Sequence, residues 1–178
     1  MAPEREKAYP EGNGSGKQAV LLNGPSSSGK SSLAKALQAL METTLSERYE
    51  VVSIDDFMKC SPNETIYEDD VYEISGDMCE KALEILGSGS GVIIDHVITS
   101  ERIFTQLKDA LSAYPLHTVH IACPLEVLRE RERARGDRCP GSAESSAEYL
   151  YPKEGYDLTV DTSCGTPSEN ARLILEAL

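Results

Sequence analysis

The 178-residue chain predicts an α/β fold, a parallel sheet covered by helices on both faces. Short apolar runs such as AVLLN at 19–23 suit buried strands. The stretches between them carry apolar residues at helical spacing. Strand and helix alternate five times in this way, the pattern of a parallel sheet joined by helical crossovers. The length suits one domain with a sizeable core. Residues 1–17 are rich in Pro, Gly, Glu and Lys without periodicity, so a flexible tail is expected there and a single domain over 18–178.

The elements follow in order. After AVLLN, residues 30–41 place Leu33, Ala34, Leu37, Leu40 and Met41 on one helical face. YEVVSI at 49–54 is the second strand, ending at Asp55-Asp56. A polar loop through Pro62 leads to a helix over 70–86, closed by GSGSG, since glycine favours helix C-termini. VIID at 92–95 is the third strand, and a helix over 100–113 follows with Ser100 as its N-cap. HTVHIAC at 117–123 gives the fourth strand, and Pro124 starts a charged helix at its first turn. YDLTVDT at 156–162 alternates as a fifth strand, and SENARLILEAL closes the chain as a helix after Pro167.

Composition excludes several functions. A formal net charge of −13 argues against a general nucleic-acid binder, which needs clustered Lys and Arg. No apolar run approaches the roughly 18 to 20 residues of a membrane span, and the N-terminus lacks the apolar core of a secretory signal. The five cysteines (Cys60, Cys79, Cys123, Cys139 and Cys164) form no CxxC pair. That scatter fits reduced thiols in a cytoplasm.

The chemistry starts at NGPSSSGKSS, 23–32. Gly24, Pro25, Ser26, Ser27, Ser28, Gly29, Lys30 and Ser31 satisfy G-x-x-x-x-G-K-[ST], with a strand before them and a helix after. In that context backbone N–H groups of the loop and of the helix start, through Ser32, can point at phosphate oxygens. Lys30 would reach the β- and γ-phosphates and the Ser31 hydroxyl would ligate Mg²⁺. Two similar stretches fail the test. GNGSGK at 12–17 lacks the first glycine and a preceding strand, and GSGSG at 87–91 lacks a lysine.

Other positions complete a candidate site. Asp95 closes VIID, where an acidic group can hold the magnesium hydration shell or cap the next turn. Asp55 lies at a strand end, in the ligand crevice of an open α/β sheet. A carboxylate there can take the proton of an acceptor hydroxyl during phosphoryl transfer. The alternative is that Asp55-Asp56 only caps a turn. Strand geometry sends neighbouring side chains to opposite faces, so one of the pair is expected in the crevice.

PLEVLRERERARGDR at 124–138 is the one locally basic segment, with Arg131, Arg135 and Arg138 on one helical face. Either it is a solvated helix whose Glu130 and Glu132 pair with nearby arginines, or it is a mobile lid over about 129–148. In the lid reading the arginines close over a triphosphate, Gly136 breaks the helix and CPGSAESS moves as a loop. DTSCGTP at 161–167 is a candidate adenine contact through the architecture alone.

Together NGPSSSGKSS, Asp55, VIID, ERARGDR at 132–138 and GYDLTVDTS resemble the chloramphenicol phosphotransferase-like family of small P-loop kinases. The resemblance spans about 18–178. It implies a five-stranded parallel sheet of the nucleoside-monophosphate-kinase type and transfer of the ATP γ-phosphate to a hydroxyl of a small molecule, with Asp55 as base. Chloramphenicol is one such acceptor, and zeta-toxin kinases, which phosphorylate a nucleotide sugar, are more distant relatives by the same likeness. A nucleotide-binding regulator without acceptor chemistry is the competing class, and a homo-oligomer is compatible with the pattern. Two positions near the implied acceptor side depart from the family: Tyr151 stands where a His is frequent, and His96 where an Asp is.

Overall fold

The computed structural model describes residues 17–58, 66–137 and 139–178. Its centre is a five-stranded sheet in the order β2-β3-β1-β4-β5, with every pairing parallel. The strands are β1 (Ala19–Asn23), β2 (Tyr49–Ser53), β3 (Gly91–His96), β4 (Leu116–Ala122) and β5 (Leu158–Asp161). The helices are α1 (Lys30–Leu45), α2 (Glu68–Gly87), α3 (Glu101–Ala110), α4 (Leu125–Arg135), α5 (Ser142–Tyr149) and α6 (Pro167–Ala177).

The two-residue period of the central strands divides the core. Ala19, Leu21, Val92 and Ile94 face α2 and α3, where Met78, Ala82, Leu86, Ile103 and Leu107 cover them. Val20, Leu22 and Ile93 face the other way, onto Leu33, Leu37 and Met41 of α1 and Ala171 and Ile174 of α6. Both faces are sealed, as the continuous apolar runs require. Gly91 is forced by this packing: a Cβ there would lie 2.2 Å from the Tyr49 ring.

Most element expectations hold. Ser100 caps α3 by accepting the Ile103 N–H at 3.3 Å, and α6 starts with Pro167 after Thr166, whose Oγ1 accepts the Glu169 N–H at 3.2 Å. Three differ. β2 stops at Ser53, and Asp55 and Asp56 lie in a 3₁₀ turn, Ile54–Asp56, so the strand argument for separating them does not apply. β5 is shorter than 156–162. CPGSAESS is not a loop throughout, because α5 begins at Ser142. The tail through residue 16, Cys60 and Arg138 lie outside the described residues. Among those described, no helix is long and apolar enough to cross a membrane.

Candidate active site

All parallel strands end at one edge of the sheet, and the turns that leave them meet there. The loop after β1 runs between β1 and α1. Gly24 packs so closely on β4 that a Cβ would come 2.6 Å from the Ile121 carbonyl oxygen. Ser27 and Gly29 take positive φ, 64° and 84°, and curl the chain round on itself. Ser27 and Ser28 are buried, and the first turn of α1 aims its unsatisfied N–H direction at the hollow of the loop.

Lys30 is buried, and its ammonium donates to the Pro25 carbonyl at 2.7 Å and lies 3.4 Å from Ser28 Oγ. A cation thus sits inside the curl, beside a helix N-terminus, where an anion is attracted by both. Ser31 Oγ donates to Asp95 Oδ2 at 2.7 Å, and Asp95 is 4% exposed at the end of β3. Hydroxyl and carboxylate make an oxygen-only donor pair, which suits a hard divalent cation such as Mg²⁺.

Two cavities meet over the loop. The first, about 620 Å³, is lined by Gly29, Ser31, Ser32, Arg131, Arg135 and the turn after β5 through Thr162, Gly165 and Pro167. The second, about 320 Å³, runs from Ser26–Ser32 past Asp95 to Asp55, with Ile54, Met58, Ile66, Val71 and Val97 as its apolar wall. Ser27, Gly29, Ser31, Ser32 and Arg135 line both. Asp55 lines the second, and Asp56 is not among its lining residues.

The arginines differ in what they hold. Arg131 donates to the Ser28 carbonyl at 3.2 Å and to the Thr162 carbonyl at 2.8 Å, so it clamps α4 to the phosphate loop and to the turn after β5. The Thr162 hydroxyl donates to the same Ser28 carbonyl. Arg135, at the junction of the cavities, pairs with Asp137 at 3.2 Å. Gly136 ends α4 with φ 68°. Among the described residues Glu132 pairs with no arginine, unlike in the solvated-helix reading. It is 8% exposed and accepts the N–H groups of Gly141 at 3.0 Å and Ala143 at 2.7 Å, neutralising the start of α5. From α5, Ser146 Oγ accepts the Ser26 N–H at 2.9 Å. The segment expected to be a lid is therefore docked on the phosphate loop.

His96 and Tyr151 do not line the second cavity. His96 is fully buried with Nε2 3.2 Å from Ser75 Oγ. Burial pushes its imidazole down to about 4, so near neutrality it is an uncharged core residue. The sequence reading gave Glu132 other partners than those it has, and it assigned no individual role to Ser146, Thr162 or Asn23. Only Asn23 left a signal, as the one polar residue of AVLLN.

Residues 17–178 match the family described as chloramphenicol phosphotransferase-like protein. A Mycobacterium tuberculosis H37Rv protein provisionally named an O-phosphotransferase is 27% identical over 185 residues, covering 89% of this chain and 80% of its own length. Among solved structures, the APS kinase CysC of M. tuberculosis in complex with AMPPNP and APS superposes with a TM-score of 0.71 at 18% identity, over 90% of this chain and 96% of its own. A gluconokinase from Sinorhizobium meliloti 1021 gives 0.69 at 22%, over 90% and 91%. The sheet order and loop geometry are thus those of a P-loop kinase fold, and the chain belongs to the chloramphenicol phosphotransferase-like family.

Proposed function

We propose that this protein transfers the γ-phosphate of Mg²⁺-ATP to a hydroxyl of an uncharged small molecule with an apolar body, chloramphenicol and related antibiotics being the first candidates. The observation that carries the reading is the meeting of the two cavities over Ser27–Ser32, with Arg135 at the junction and Asp55 in the second cavity alone. Nucleotide in the first cavity would point its phosphates at the loop, and the similar fold of the APS kinase CysC was solved with AMPPNP bound. When bound, Mg²⁺ would screen the phosphate charge from the Ser31–Asp95 side.

The chain's own groups then have distinct tasks. Loop N–H groups and Lys30 hold the phosphate oxygens and stabilise charge on the transferred group. Arg135, with Arg138 beyond the described residues, supplies further positive charge from the segment over about 129–148, which acts as the lid of a single catalytic domain, 18–178. Arg131 holds the loop in shape. Asp55 orients the acceptor hydroxyl and receives its proton.

The second cavity favours an uncharged acceptor. Lys30 and Arg135 are the only cations among its described lining residues, and both are committed to the transferred phosphate. Exposed Glu68, Asp69 and Asp70 open α2 beside the cavity residues Ile66 and Val71; Arg102 pairs with Asp69, and the net negative charge that remains repels an anionic acceptor. A nucleotide sugar would bring a diphosphate to that wall.

ADP release from Mg²⁺-ATP, measured alone and then with chloramphenicol, other amphenicols, further hydroxyl-bearing antibiotics and UDP-N-acetylglucosamine, tests this. A neutral hydroxyl compound should stimulate release and gain one phosphoryl group by mass. Stimulation by UDP-N-acetylglucosamine alone would contradict the neutral acceptor, and ATP binding without stimulation by any compound would contradict the transferase reading.

A further inference from the structure

One fully buried polar side chain joins the two halves of the site without facing either cavity. Asn23 ends β1, immediately before Gly24, and is 0% exposed. Its Nδ2 donates to the Tyr151 carbonyl at 2.8 Å and to the Tyr156 hydroxyl at 2.8 Å. Its Oδ1 accepts the Ile98 N–H at 2.9 Å. The Ile98 carbonyl in turn accepts the Tyr151 N–H at 2.9 Å. Asn23, Ile98 and Tyr151 therefore close a ring in which both backbone polar groups of Ile98 are fixed.

That ring has a consequence for the neighbours of Ile98. With its side chain buried at 0% exposure, Val97 and Thr99 on either side are the residues that line the second cavity. We infer that Asn23 is a positioning residue, which locks the Val97–Thr99 wall of the acceptor cavity to the start of the phosphate loop and so holds acceptor hydroxyl and phosphate in register. This rests on the second cavity being the acceptor site, as proposed above.

Only a primary amide of this length meets the need, since the site presents one N–H to be accepted and two oxygens to be donated to. Aspartate keeps the acceptor but sets a carboxylate oxygen against the Tyr151 carbonyl. Leucine keeps the volume and strands three partners, the buried Ile98 N–H among them. The tyrosine arm is itself held, because the Tyr156 ring stacks on His120 with centroids 5.0 Å apart. A purely structural asparagine would support the end of β1 and the whole sheet alike, whereas a positioning residue acts on one wall.

Hydrogen exchange and nucleotide affinity separate the two. In Asn23→Ala the amides of Ile98 and Tyr151 should exchange about 10- to 100-fold faster, the equivalent of one or two net hydrogen bonds. Exchange at Leu21 and Ile93 in the sheet centre should stay as in the wild type, and the Kd of Mg²⁺-AMPPNP should change by less than about threefold. With chloramphenicol as the acceptor probe, its KM should rise about tenfold while the KM of ATP holds. Tyr156→Phe, which removes one of the three partners, should give the same pattern at smaller amplitude and serves if Asn23→Ala does not fold.

Uniformly faster exchange across the sheet, or unchanged exchange at Ile98, would overturn the assignment. So would AMPPNP weakened as much as the wall is loosened. Exchange and AMPPNP binding need no acceptor. A wild-type protein that leaves chloramphenicol unphosphorylated therefore counts against that compound as acceptor, while these two measurements still decide the role of Asn23.

Discussion

The half of the site proposed to bind phosphate is built from one continuous stretch, 24–32, whereas the half proposed for the acceptor is assembled from four separated ones: Ile54–Met58, Ile66–Val71, Asp95–Thr99 and Ser142–Ser146. The first half takes its shape from local rules. Positive φ at Ser27 and Gly29, a helix start and an inward lysine follow from these nine residues. The second half exists only once the sheet has brought the turns after β1, β2 and β3 to one edge and α4 has carried α5 across to the loop. Local construction makes the phosphate half uniform among P-loop proteins, and distributed construction leaves the acceptor half free to vary.

The contrast can be broken at either half. Lys30→Ala should lower turnover by about 10³-fold, because a buried cation beside the developing charge has no substitute. The steady-state rate at saturating ATP checks this, and near-wild-type activity would remove the phosphate-loop assignment. Val71→Asp places a carboxylate in the apolar wall and should raise the KM of a neutral acceptor about tenfold or more, with the KM of ATP held. An equal rise in both would show that the two cavities are not separate sites.

Glu132→Ala sharpens the comparison. Removing a buried acceptor of two N–H groups loosens the start of α5, and about a fivefold to tenfold loss of kcat/KM for the acceptor is expected. Protease susceptibility near Gly141 should rise in parallel, and resistance equal to the wild type would contradict the capping role. Arg129→Ala removes an exposed pair with Glu144 at 2.8 Å, and activity should stay within about twofold. A larger fall would give that arginine a task the structure does not.

How much was legible in the sequence follows the same division. β1 and β3 declared themselves because strands buried on both faces must be apolar throughout, and α1, α2 and α6 because each has one apolar face. α5 did not. SAESSAEY buries only Ala143, and its start is held by Glu132 from another helix rather than by a local cap. Asp55 lines the second cavity, but the strand expected beneath it ends at Ser53, and a 3₁₀ turn carries it there. Arg131 shares a helical face with Arg135, yet spacing cannot tell a clamp on Ser28 and Thr162 from a residue lining both cavities. Asn23 was hidden in plain view, because its three partners lie more than 70 residues away.

The proposal turns on Asp55 acting on the acceptor while taking no part in holding nucleotide. Acceptor-stimulated ADP release and Mg²⁺-AMPPNP affinity should therefore be measured side by side for the wild type and Asp55→Asn, with the stimulating compound identified as above. The account predicts a fall of about 10²-fold in stimulated turnover at unchanged nucleotide affinity. Stimulated turnover equal to the wild type would contradict it.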